Sequence, residues 1–174
     1  MNFILKNFLI LIFSLFLLNN LKADIPNFVD FRFILNESIA GKKAQGELKN
    51  QLEKGINQLK SKEKKIQEEE KKIIQQKKLM KPDEYKKKVN ELRTKVSKLQ
   101  KERKDLLENI AKKRSKARTE LLKNLNPIME NYMKEKNIKI IIDKKELIVA
   151  DNKLDITKDI IELLNKKLKS IKID

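Results

Sequence analysis

No cysteine, histidine or tryptophan occurs anywhere in the 174-residue chain, and Gly and Pro occur only three times each. Each absence closes off a class of chemistry. Without Cys there is no disulfide framework, thiolate metal site, thiol nucleophile or lipidated thiol. Without His, the commonest general base and metal ligand is missing. Three Gly are too few for a glycine-rich phosphate cradle. Aromatic residues are 5% of the chain, so there is no platform for stacking nucleobases. No nucleophile–base pair is visible, and neither catalysis nor a cofactor is expected. Asp151, Asn152 and Asp155 hint at a calcium loop, but the Gly turn and closing Glu of that motif are missing, so no metal is expected.

What the chain has in excess is charge. Charged residues make up 39% of it, with 42 Lys and Arg against 25 Asp and Glu, for a net +17. The distribution is uneven. Residues 24–41 hold one basic and three acidic residues, and residues 126–174 hold 11 basic and nine acidic, so the two ends cancel. Residues 42–125 hold 28 basic against 13 acidic, a surplus of +15. This partition predicts a body made from 24–41 and 126–174, with 42–125 inserted between them as an arm.

Residues 1–23 read as an export leader. Lys6 is the positive start, Phe8 to Leu18 is an 11-residue apolar run, and Ala23 is a small residue at a cleavage point before Asp24. The run is short for a membrane span, which needs about 20 apolar residues. An uncleaved anchor is the alternative. Export places the mature chain outside the cytoplasm and argues against nucleic acid as the partner of its charge.

The arm is rich in Lys, Glu, Gln and Leu, all good helix formers. Leu52, Leu59, Ile66 and Ile73 recur every seven residues. The other seam position is poor, since Glu63 and Glu70 follow Leu48 and Ile56. In the second half Tyr85, Val89, Leu92, Val96, Leu99, Leu106, Ile110 and Ala117 keep a 4-3 spacing, broken by Arg103 and Lys113. Sustained heptads of this kind signal a coiled coil. Pro82 fits the first position of a new helix, with Asp83 and Glu84 in its first turn. The pattern predicts two antiparallel helices joined near residues 79–83, each about 60 Å long. The narrow apolar stripe predicts a bendable arm.

For the ends, the spacing predicts a strand near 27–31, a short helical turn through Ile34 and Leu35, and a hairpin of 138–143 with 147–150. A terminal helix capped by Thr157 carries Ile160, Ile161, Leu164, Leu168 and Ile171 on one face. Pro127 kinks the helix where the arm enters the body. The whole is an α+β fold, mostly α: a long helical-hairpin, coiled-coil arm projecting from a small β-containing oligomerisation body. Sixty-seven residues make a small core, and oligomerisation through the sheet supplies the missing burial.

The stretch Val29–Ser38, continuing through Ala40 to Gln45, resembles the opening of the OmpH/Skp family of periplasmic chaperones. Ile140–Lys144, Leu147–Ala150 and Leu154–Ile161 resemble that family's end, and Asn126-Pro127-Ile128 is similar at the arm base. Phe33-Ile34 is more apolar than is usual there. The resemblance implies a homotrimer whose three arms enclose a cavity for unfolded outer-membrane proteins, without ATP. Anionic lipid or lipopolysaccharide is a further partner that +15 on a rod would suit. Candidate contacts for client or anionic lipid are the basic runs Lys86, Lys87, Lys88 and Lys112, Lys113, Arg114, with Lys116 and Arg118, and Met80 and Tyr85 near the tip. A solvated helix face for the basic runs and turn packing for Tyr85 are the plainer readings. The competing functions are an exported structural coiled-coil adaptor of the cell envelope and a non-specific nucleic-acid binder.

Overall fold

The computed structural model describes residues 25–173, and the leader expected over 1–23 lies outside them. The order is β1 (Asn27–Val29), α1 (Phe31–Glu37), α2 (Ile39–Gln76), α3 (Pro82–Lys136), β2 (Ile141–Asp143) and α4 (Thr157–Lys167). Single 3-10 turns sit at Lys77–Leu79, Lys144–Glu146 and Asn152–Leu154. No helix among the described residues is long and apolar enough to cross a membrane.

Two long helices dominate because their sequences contain almost nothing that stops a helix. α2 has 38 residues and α3 has 55, or about 57 and 82 Å at 1.5 Å per residue. The link between them is short. Pro82 opens α3, where its missing N–H costs nothing, and Asp83 and Glu84 occupy the first turn as expected. At the other end α3 continues through Pro127 to Lys136, and Asn137 closes it in the left-handed region at φ 53°.

The chain's two ends meet at one core. Val29, Ile34 and Ala40 from the start pack with Leu121, Leu125, Ile128 and Tyr132 of α3 and with Ile156, Ile160 and Leu164 from the end. β1 and β2 pair in parallel, with Phe28 opposite Ile142. Phe28 also bridges Asp155, and the Ile156 N–H donates to the Phe28 carbonyl at 3.0 Å.

Several local expectations are corrected. The strand stops at Val29, and Asp30 caps a two-turn helix by accepting from the Phe33 N–H. The hairpin of 138–143 with 147–150 does not form. β2 pairs instead with β1, and the chain after it turns through Lys144–Glu146 and leaves Leu147–Ala150 outside any strand. Ile148 is fully exposed and Val149 is 89% exposed. Thr157 is the first residue of α4 rather than its cap. Its hydroxyl accepts from the Asp30 N–H at 2.9 Å, while its own N–H donates to Asp155. Burial pushes the Asp155 carboxyl up, but the Thr157 hydroxyl and N–H and the Lys144 ammonium outweigh it and hold it below the usual range.

The terminal helix also ends early. Leu168 is extended at φ −130°, so Ile171 belongs to a tail and not to a helix face. That tail runs back over the root of the arm. Ile173, 2% exposed, packs with Ala44, Leu48 and Ala117, and Ile171 touches this cluster and the main core. The six tail residues 168–173 are held by one buried and two half-buried side chains.

Tyr132 donates a short hydrogen bond to Asp159 across α3 and α4. Burial, and then this bond, pushes the phenol up to about 12. An unfolded Tyr loses its proton near pH 10, so the contribution is complete below pH 10 and disappears between pH 10 and 12. Denaturant melts of wild type and Tyr132→Phe should differ by roughly 1–3 kcal/mol at pH 9 and converge by pH 12. Parallel curves across that window would remove the coupling.

Gly46 gives a test of opposite sign. It lies in the helix interior, and a Cβ there would meet nothing within 4 Å. Gly46→Ala is expected to raise stability by about 0.5–1 kcal/mol in a thermal or denaturant melt.

Candidate binding surfaces on the arm

α2 and α3 pack through a sparse stripe. Leu48, Leu59 and Ile73 of α2 and Leu99, Ile110 and Ala117 of α3 are buried. Leu52, Ile66, Tyr85, Val89, Leu92 and Leu106 are half-buried, while Val96, expected in the seam, is 41% exposed. Polar cross-links fill the gaps. Glu63 meets Arg103 at 3.4 Å, and Lys113 donates to Gln51 at 3.1 Å. Lys62 meets Glu102 and Glu69 meets Lys95, each at 2.6 Å. The partner numbers rise on one helix as they fall on the other, which makes the pair antiparallel. The hydrogen bond from Lys62 holds the Glu102 carboxyl below its usual range, and the charges of Lys62 and Lys98 add to this. Exposed pairs of this kind are screened by solvent, so they fix register more than stability.

Three surfaces combine cationic and apolar groups. At the tip, Leu79 is 88% and Ile74 61% exposed, and the Lys77 ammonium sits 5.3 Å from the centre of the Tyr85 ring. At mid-arm a groove of about 340 Å³ has Ile66 and Leu99 as its floor and Lys65 and Lys98 among its walls. At the shoulder, α1 and the roots of α2 and α3 enclose a larger groove of about 840 Å³. Its floor is Ala44, Leu48, Ala117 and Leu121; Arg32, Lys49, Arg114 and Arg118 stand at its rim, where Lys42 pairs at 2.7 Å with Glu37, which also lines the groove.

A family model described as "Outer membrane protein (OmpH-like)" matches residues 27–164, from β1 into α4. The chain belongs to the OmpH-like family. No curated protein matches it. A solved structure described as an outer membrane chaperone (OmpH-like) from Caulobacter crescentus superposes with a TM-score of 0.79. It covers 87% of this chain and 91% of that one at 17% identity, so the likeness is one of fold. The long helices and small parallel sheet of this OmpH-like chain match that fold.

The expected contact residues fall into separate places. Lys86 and Lys87 are exposed on the first turns of α3, while Lys88 pairs with Glu84 at 3.4 Å. Met80 and Tyr85 are half-buried at the tip. Arg114 and Arg118 come together on the shoulder groove, about 43 Å along α3 from Tyr85. Lys112 and Lys116 are exposed outside the groove lining, and Lys113 turns inward to Gln51. Sequence reasoning missed Arg32, Lys42 and Lys49. The seven-residue spacing of Lys42 and Lys49 places them on one face of α2 and was visible beforehand; Arg32 joins them only through the fold. Among the described residues no cluster of three or more Asp or Glu could hold a metal.

Proposed function

We propose that this OmpH-like chain is an ATP-independent holdase of the periplasm. It binds unfolded outer-membrane proteins in a cavity between the arms of a homotrimer and keeps them from aggregating. The observation that carries the reading is the combination on the arm of a +15 surplus with apolar-floored grooves. Weak, distributed contacts of both kinds hold an unfolded chain without fixing its shape, and the summed field speeds its capture. The charged rows named above, Lys86 to Lys88 and Lys112 to Arg118, serve in this reading as parts of that field rather than as separate sites. The same field suits anionic lipid or lipopolysaccharide headgroups.

The trimer reading is supported by what the single chain leaves uncovered. Its sheet has two short strands, and Ile140, just before β2, and Ile148 and Val149, in the irregular chain after it, are exposed. Exposed β-branched residues and a short open sheet are surfaces that neighbouring copies cover.

The test is light scattering of a denatured outer-membrane β-barrel protein diluted into buffer with the purified mature chain. Suppression of aggregation is expected at low salt, weakening as salt rises, with one client per three chains by native mass measurement. No suppression at low salt would sink the proposal.

A further inference from the structure

The C-terminal tail occupies a place that the arm could offer to another chain. Residues 168–173 lie outside any helix or strand, and no backbone–backbone hydrogen bond ties 169–173 to the rest of the described residues. The tail is held by side chains alone. Ile171 and Ile173, two apart, pack on Ala44, Leu48 and Ala117 without lining the shoulder groove that the same three residues also border, while Lys172 between them is exposed. This is the spacing of a strand, with alternate side chains inward.

We infer that this slot at the root of the arm is a docking site for an extended chain with apolar residues at alternate positions, filled at rest by the protein's own tail. A client segment with that pattern displaces the tail. The inference rests on the holdase reading for its occupant. An unfolded β-barrel protein is rich in such segments, because barrel strands alternate apolar and polar residues. Exchange breaks no backbone hydrogen bond, so one chain replaces another at little cost. The tail also links two regions, since Ile171 touches both the arm cluster and the body core. Its release removes the contact of Ile173 with Ala44, Leu48 and Ala117 at the arm seam.

Methyl NMR of the full mature chain, labelled at Ala and Ile, tests this directly. On saturation with an unfolded barrel protein, the Ile171 and Ile173 methyls are expected to move to unfolded-chain positions. The Ala44 and Ala117 methyls are expected to move to a third position, neither tail-bound nor empty. The empty position comes from Ile171→Ser/Ile173→Ser, and a synthetic peptide of residues 168–174 added to that variant should restore the tail-bound shifts. Lys172→Ala should behave as wild type. If aggregation is suppressed while Ile173 keeps its shift, clients bind elsewhere and the slot is overturned with the holdase reading intact. If aggregation is not suppressed, the holdase reading falls, and with it the client as occupant. If the peptide fails to restore the Ala44 and Ala117 shifts, the slot is overturned whatever the client does.

Discussion

Gly41→Ala is expected to lower stability by more than about 3 kcal/mol, a large share of what a small body can hold. A Cβ at Gly41 would stand 2.0 Å from the Leu35 carbonyl oxygen and 2.9 Å from Ser38 Oγ. The first is a backbone atom, so no rotamer change relieves it. α1 would have to move away from α2. That movement would also break the junction at Ser38, which is fully buried and serves both helices. Ser38 Oγ accepts from the Gly41 N–H at 3.2 Å, and the Ile39 N–H donates to Asn165 Oδ1 at 2.7 Å. The same chemical change at Gly46, one turn further along α2, has the opposite expected sign. Denaturant melts of the two variants beside wild type check the pair. Equal midpoints for Gly41→Ala and wild type would show that α1 and α2 are not held where the structure puts them.

Reversing Arg32, Arg114 and Arg118 to Glu is expected to slow capture of an unfolded client at least tenfold at low salt. The change removes six units of positive charge around one apolar-floored groove. Electrostatic focusing in such a cleft raises on-rates by about 10–1,000-fold. The Debye length shrinks from about 10 Å at 0.1 M salt to about 3 Å at 1 M, so the difference should nearly vanish at high salt. Stopped-flow capture of a labelled, acidic, unfolded barrel protein measures it, with circular dichroism confirming helix content. The same charge change at Lys78, Lys86 and Lys87 near the tip should cost less, because none of those side chains lines the shoulder groove. Equal losses would assign the effect to net charge alone and not to the shoulder.

The arm was largely legible because its signals are local. A 4-3 apolar spacing, a proline at a helix start and an absence of helix breakers act over one or two turns. Even the interruptions made sense once paired. Glu63 and Arg103, each a blemish in its own helix, face each other at 3.4 Å. Lys113 meets Gln51 in the same way.

The body was less legible because its partners are distant in sequence. Residues 138–143 and 147–150 look like two strands of a hairpin, being β-branched and only three residues apart. The pairing that forms joins Phe28 to Ile142 in parallel, across more than a hundred residues, and no local pattern announces it. Leu168 and Ile171 fit a helix face by spacing, yet Ile171 and Ile173 fit an extended chain equally well. Tertiary burial over Ala44 and Ala117 goes with the second. The shoulder groove was half visible, since Arg114 and Arg118 share a helix face but Arg32 reaches them only through the fold.

α3 gives the molecule one helix that runs continuously from the tip into the body. The sharp change in charge near residue 125 coincides with no break in the backbone, because the helix passes Pro127 and ends at Lys136, with Leu125, Ile128 and Tyr132 clamped in the core. From Leu125 to Pro82 the strut extends about 65 Å. Such a strut is a lever. A tilt of about 10° at the clamp sweeps its far end through about 11 Å. Small adjustments in how the body packs around the clamp are thereby geared up into large changes of reach, and a load on the far end returns to the clamp as torque.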